Sequence, residues 1–121
     1  MTDHSCEALV IHCMDHRLQK YLNDWLESDP GAGQYDRVAI AGAVQDIDPV
    51  LKHVELAVRL HAVRKVILVN HEDCGAYGPG GTLARHTADL QEAERKIHAL
   101  FMSLSVDKYY LRLDGSFVRI Y

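Results

Sequence analysis

Residues Ala8–Arg17 read ALVIHCMDHR, and residues Lys65–Gly75 read KVILVNHEDCG. Each is a short apolar run that stops abruptly at residues able to bind metal or carry charge. The first delivers Cys13, Asp15 and Arg17; the second delivers His71 and Cys74. Two thiols and one imidazole make a zinc donor set, and three protein ligands leave zinc's fourth position open for water. An acid and a base, Asp15 and Arg17, stand two residues apart beside one of those ligands. That is the layout of a catalytic metal site rather than a structural one.

The surrounding pattern sets these stretches in an α/β chain. Leu9, Val10 and Ile11 form a continuous apolar run, as expected of a strand covered on both faces. From Leu18 the period changes: Leu18, Tyr21, Leu22, Trp25 and Leu26 recur at helical spacing, and Ser28-Asp29-Pro30-Gly31 is a strong stop. Tyr35–Val44 reads as a second strand. Asp48-Pro49 reads as a helix N-cap followed by proline at the first position. The helix it opens carries Ile47, Val50, Leu51, Val54, Ala57, Val58 and His61 on one face, so His61 is expected to be half-buried rather than a ligand. Val66–Val69 is the third strand. Gly75–Gly81 lacks the Lys-Ser/Thr of a phosphate-binding loop and reads as a turn out of the metal site. Leu90, Ala93, Ile97, Leu100, Phe101 and Leu104 mark a long helix, with Glu92 and Lys96 expected to pair on its wet side. Tyr109–Tyr121 reads as a last strand entering a hairpin at Asp114-Gly115.

Alternating strands and helices predict a parallel sheet with helices on both faces. The ligands then fix the strand order. Zinc bonds are about 2.0–2.3 Å long and neighbouring strands lie about 4.8 Å apart. Strands one and three, which end at the expected ligands, are therefore best placed side by side, and strand two must then lie on the other flank of strand one. The expected architecture is one domain over residues 1–121, a four-stranded parallel sheet of order 2-1-3-4 closed by a C-terminal hairpin. Its site lies at the switch point beyond the strands' carboxyl ends. Alternation at the end of strand one gives Cys13, Asp15 and Arg17 one direction, and His16 the other.

Composition narrows the function. A chain of 121 residues, 48% hydrophobic and 25% charged, can bury one core but not two. A net charge of −4 argues against nucleic acid or an anionic membrane as the main partner. No apolar run approaches the ~20 residues a bilayer span needs. The start, MTDHSCEALV, lacks the basic-then-apolar layout of a signal peptide, which points to the cytoplasm, where thiols stay reduced. Of three cysteines, Cys6 has no assigned role and reads as a bystander to the metal site.

The pairing of Cys13-Met-Asp15-His-Arg17 with His71-Glu-Asp-Cys74-Gly75 resembles the β-class carbonic anhydrases, whose pattern is C-x-D-x-R on one strand end and H-x-x-C-G on a later one. The resemblance runs from Ala8 to the final hairpin. It implies Zn2+ held by Cys13, His71 and Cys74, with Asp15 and Arg17 as the catalytic pair, and Gly42 and Gly75 on the substrate side. It implies reversible hydration of carbon dioxide to bicarbonate through zinc-bound hydroxide, with activity rising into mildly alkaline pH because two thiolates cancel the cation's charge. It also implies a homodimer or larger homo-oligomer. The chain departs from the family where His16 replaces a usual serine. Only Ala41-Gly42 corresponds to an Arg-Asn-Ala-Gly-Asn-like segment, and the helical arm with which members embrace a partner has no counterpart in these residues. Two other readings share the donor set. One is hydrolysis of a carbon dioxide analogue, carbonyl sulfide or carbon disulfide. The other is a non-catalytic zinc-binding or thiol-sensing protein whose site is closed by Asp15.

Overall fold

The computed structural model describes residues 3–28 and 33–121. Strand β1 spans Ala8–His12, β2 Tyr35–Ala39, β3 Lys65–His71, β4 Ser105–Leu111 and β5 Phe117–Ile120. Helix α1 spans Gln19–Ser28, α2 Ile47–His61 and α3 Leu83–Leu100. The sheet order is β2-β1-β3-β4-β5, with the first four strands parallel and β5 antiparallel to β4. The predicted order 2-1-3-4 is therefore present, and the hairpin adds a fifth strand at its edge.

Side-chain alternation sorts the sheet into two cores. Leu9, Ile11, Val66 and Leu68 pack with Val50, Val54 and Ala57 of α2 and Leu90, Ala93 and Ile97 of α3. On the other face Ala8, Val10, Ile67 and Val69 pack with Leu18, Leu22 and Leu26. All five residues of β1 are buried, which is why the strand reads as an unbroken apolar run. Burying one such leucine or isoleucine contributes about 1.5–3 kcal/mol. β1 and β3 are thus buried along nearly their whole length, and it is these two strands that end at the candidate ligands. Their register sets Val69 beside His12, so the chain beyond His12 and the chain beyond Val69 leave the sheet at one level.

Several boundaries differ from the sequence reading. The second strand stops at Ala39; Ala43–Gln45 is a 3₁₀ turn entered through Gly42 at φ 77°, a left-handed conformation natural to glycine. Helix α2 begins before the predicted cap: the side chain of Asp46 accepts from the Asp48 N–H at 3.2 Å. Pro49 then falls in the first turn, where its missing N–H costs no intrahelical bond. Helix α3 starts at Leu83, capped by Thr82, and Phe101 and Leu104 lie beyond its end. Glu92 pairs with Arg95, three residues on, instead of Lys96.

The hairpin turns through Arg112–Ser116, with the Arg112 N–H bonded to the Ser116 carbonyl at 2.9 Å. It is longer than the predicted two-residue loop. Gly115 sits at φ 91° against Tyr21 of α1, where a Cβ would come within 2.6 Å of the ring. The predicted stop at Ser28-Asp29-Pro30-Gly31 lies, beyond Ser28, outside the described residues.

Candidate metal centre

Beyond His12 the β1 chain carries Cys13 and then turns. Asp15 opens a 3₁₀ turn over His16–Leu18, its carboxylate accepting from the Arg17 N–H at 2.9 Å. Beyond His71 the β3 chain turns through Asp73, at φ 56°, a left-handed position that aspartate tolerates better than most residues. These two turns bring one donor atom each from Cys13, His71 and Cys74 within 4.8 Å of one another. All three residues are buried, with exposures of 6%, 2% and 5%.

The histidine tests whether a metal fits. His71 Nδ1 lies 2.7 Å from the Glu72 carbonyl oxygen, to which it must donate. That fixes the proton on Nδ1 and leaves Nε2 as the lone-pair atom, the usual arrangement behind a metal-binding imidazole. His71 Nε2 is buried and has no hydrogen-bond partner. Leaving a polar atom buried and unpaired is unfavourable by about 1–3 kcal/mol, and a cation between the two sulfurs would satisfy it.

The thiols show the same bias. Burial pushes the Cys13 thiol up, but His71 and the backbone N–H groups of Gly42 and Asp15 outweigh it and bring it to about 7. The Gly42 N–H stands 3.4 Å from Cys13 Sγ. Burial, joined by the neighbouring Cys13, pushes the Cys74 thiol up. Burial opposes a charge on His71, yet Cys13, the Glu72 carbonyl and Asp15 hold its pKa above the ordinary value. Such a group readily exchanges its protons for a divalent cation.

Beside the ligands stands a clamp. The Arg17 guanidinium donates to both oxygens of Asp15, with its shortest contact 2.7 Å from Nη2 to Oδ2. It also reaches across to the second turn, donating to Asp73 Oδ2 at 3.1 Å and to the Asp73 carbonyl at 2.9 Å. Arg17 therefore joins the two ligand-bearing turns while holding Asp15. Its hydrogen bonds, partly countered by burial, keep the Asp15 carboxyl well below the usual carboxylate range. Asp15 Oδ2 lies 4.0 Å from His71 Nε2, near the ligands but turned to the arginine.

The group opens into a cleft of about 570 Å³, walled by Met14, His16, Ala41, Gly75 and Ala76 as well as by the clamp. The His16 side chain, 94% exposed, stands at the rim away from the ligands. Gly75 lines the cleft, whereas Gly42 is buried behind Cys13 and addresses its sulfur.

Sequence reasoning missed three supports. Asp73 is one; its place inside the His71–Cys74 spacing, with a charge opposite to Arg17, was the available signal. Gln19 is another, its amide donating to the carbonyls of Cys13 and Asp15 at 3.2 and 2.8 Å; nothing in its helical context marks it. The third lies behind Cys74. There Asn70 donates to Tyr77 Oη at 3.0 Å and bonds His86 Nδ1 at 2.8 Å, and Tyr77 donates to Asp89 at 2.7 Å. Burial brings His86 down to about 4, so it is neutral and its Nδ1 accepts from Asn70. The glycine-rich segment is the turn leading out of the site and is pinned by this network.

A family model described as "Putative carbonic anhydrase" matches residues 3–121. An uncharacterized protein of Rickettsia bellii is 25% identical, the match covering 99% of this chain and 85% of that one. Among solved structures, the carbonic anhydrase of Streptococcus mutans superposes with a TM-score of 0.64 at 18% identity, over all of this chain and 86% of the other. Tetrameric β-carbonic anhydrases of Sordaria macrospora give a TM-score of 0.54 at 18% identity, covering 97% of this chain and 81% of that one. At these identities the solved structures establish a shared fold.

Proposed function

Because the chain belongs to the carbonic anhydrase family, we propose that it hydrates carbon dioxide reversibly to bicarbonate at a zinc ion held by Cys13, His71 and Cys74. One observation carries the reading. The unpaired Nε2 of His71 lies among two buried thiols, beside a carboxylate that Arg17 holds ionised and turned aside. Zinc in such a site supplies Lewis acidity, lowering the pKa of water from about 15.7 towards about 7, so hydroxide is available near neutrality.

The chain's own residues do the rest. Asp15, being ionised, can only accept hydrogen bonds. Its Oδ2 would accept a hydrogen bond from the attacking hydroxide and so turn the oxygen lone pair toward the substrate carbon. Arg17 positions Asp15, and Asp73 positions Arg17. Carbon dioxide has no net dipole, and the cleft offers it Met14, Ala41, Ala76 and the backbone of Gly75. A carbon–oxygen bond forms, one carbon–oxygen π bond opens, and bicarbonate leaves. The proton released from the next water passes to buffer.

The site works, in this reading, within a homo-oligomer in the cytoplasm. Tetrameric relatives support assembly, as does the exposure of Met14, 63%, at the cleft rim. The three cysteines are free thiols, and no described helix is long and apolar enough to cross a membrane. Sedimentation at micromolar concentration tests assembly, and a monomer carrying full activity would refute it. Metal analysis with stopped-flow hydration of carbon dioxide tests the activity itself. Zinc-loaded protein should turn over, faster as pH rises, and Cys74→Ala should not. Zinc-loaded protein with no hydration up to about pH 9, where hydroxide is abundant, would make this a non-catalytic zinc site.

A further inference from the structure

A second donor cluster lies at the other end of the sheet. Cys6 precedes β1, Asp36 is the second residue of β2 and His61 is the last of α2. In a parallel sheet all three sit where strands begin, and Cys13, His71 and Cys74 sit where strands end. One donor atom each from Cys6, Asp36 and His61 lies within 4.8 Å of the others.

Backbone contacts hold the three together. The Cys6 N–H donates to the His61 carbonyl at 2.9 Å, and the Glu7 N–H donates to the Gln34 carbonyl at 2.9 Å. The entry to β1 is thereby tied both to the end of α2 and to the approach to β2. Leu9 pairs with Asp36 in the sheet register, which puts Asp36 on the face that α2 covers. His61 Nδ1 reaches Asp36 Oδ2 at 2.6 Å. Cys6 is half-buried beside them, its thiol donating to the Ala8 carbonyl at 3.6 Å.

An aspartate–histidine pair needs no thiol, and a packed thiol ordinarily sits among apolar side chains. Here a thiol, an imidazole and a carboxylate converge instead, all three residues half-buried. The donor set is one sulfur, one nitrogen and one oxygen. That suits a borderline divalent ion such as zinc or cobalt, and not magnesium or calcium, which take oxygen ligands throughout. Tetrahedral bonds of about 2.0–2.3 Å place donors about 3.5 Å apart, so side-chain rotations of about 1 Å complete the site. His4 is exposed beside it, its ring centroid 6.3 Å from that of His61. His4 and His61 both line a cavity of about 340 Å³.

We propose that Cys6, Asp36 and His61 form a second metal site that takes a zinc-like divalent cation independently of the Cys13 site. It is a structural site that ties the entry to β1, the start of β2 and the end of α2 together. Binding releases the Cys6 thiol proton.

The test uses the full chain, stripped of metal and titrated with zinc and with cobalt(II). Wild type should bind two ions per chain. Cys6→Ser and Asp36→Asn, which preserve side-chain size, should each bind one and keep hydration activity. Cys74→Ala should retain a cobalt–thiolate charge-transfer band, and adding Cys6→Ser should abolish it. Cooperative thermal unfolding of each variant shows that it is folded. Equal stoichiometry in wild type and Cys6→Ser, or a cobalt spectrum of Cys74→Ala that Cys6→Ser leaves unchanged, would overturn the proposal. Should the Cys13 site bind nothing, wild type would hold one ion, sensitive to Cys6→Ser and indifferent to Cys74→Ala, and the second site would still stand.

Discussion

Truncating Arg17 to alanine should close the metal site without emptying it. The Arg17 side chain makes three contacts with Asp15: Nε to Oδ1 at 3.1 Å, Nε to Oδ2 at 3.2 Å and Nη2 to Oδ2 at 2.7 Å. The Arg17 backbone N–H holds Oδ1 at 2.9 Å, and that bond survives the substitution. The result is selective: Oδ1 stays tethered and Oδ2 is released. Oδ2 is the oxygen 4.0 Å from His71 Nε2, and a carboxylate oxygen is itself a zinc ligand. Pivoting about the tether, Asp15 takes the position that water needs. The Arg17 side chain is 40% exposed and the Asp15 side chain 14%, so the lost contacts rank between surface and buried ion pairs. After that discount the balance between open and closed shifts by about tenfold or more. Zinc content should stay at the wild-type value while stopped-flow hydration falls at least that far. Asp15→Asn should also lose activity, because the amide cannot serve as the ionised acceptor, but its site should stay open to small anions. Arg17→Lys should fall between wild type and Arg17→Ala, since a single ammonium replaces a two-pronged donor. Full hydration activity in zinc-loaded Arg17→Ala would refute the clamp.

Three further outcomes follow from the geometry. Zinc affinity at the Cys13 site should rise with pH. Near pH 7 the Cys74 thiol, pushed up by burial, and about half of the Cys13 thiol still hold protons that the metal must displace. Chelator competition should therefore show at least a tenfold gain per unit between about pH 6 and 7, and a flat profile would contradict the proton count. Gly42→Ala should lose about 1–3 kcal/mol of stability in urea melts, because φ is 77° and a Cβ would press on the Cβ atoms of Ala76 and Gln45 at 3.1 Å. It should also weaken metal binding by moving the N–H that faces Cys13 Sγ, and unaltered stability and affinity would disprove both effects. Ala62, the αL cap of α2 at φ 51°, should gain about 0.5–1 kcal/mol on replacement by glycine, strain relief exceeding the added chain entropy; a lowered Tm would show the site unstrained.

What the sequence disclosed divides along a physical line. Cys13, His71 and Cys74 are legible because each lies within a few residues of a strand end, and strand ends are marked by the switch from apolar to polar. Adjacency of β1 and β3 then follows from bond lengths alone, and with it the order of the parallel sheet. The same locality explains the errors. For α2 the Asp48-Pro49 pair mimics a cap two residues beyond the true one at Asp46, and for α3 apolar spacing is silent about a polar first turn such as the one Thr82 opens. Glu92 has both Arg95 and Lys96 within helical reach, and spacing rules rank such neighbours too weakly to choose.

Contacts that cross the fold fall outside that local reading, and they are the ones that decide what each ligand group can do. Arg17 looks like a partner for Asp15 and proves also to be a brace on Asp73, 56 residues away. His61 sits in an apolar stripe and is half-buried as its periodicity requires, yet its ring is turned to Asp36, 25 residues earlier. Cys6, left over by counting, meets both only because β1 and β2 begin side by side. The two donor clusters differ in this respect. Around Cys13 two strand-end motifs supply the candidate ligands, and Arg17, local to Asp15 but braced on Asp73 across the fold, holds the Asp15 carboxylate. Around Cys6 three separate elements each supply one donor, and among the described residues no arginine bonds Asp36 as Arg17 bonds Asp15. A carboxylate restrained leaves a coordination position free for chemistry, whereas a carboxylate in contact with the ligand histidine fills it. On the two proposals above, the Asp15 carboxylate leaves a position free at one end of the sheet, whereas the Asp36 carboxylate would take one at the other.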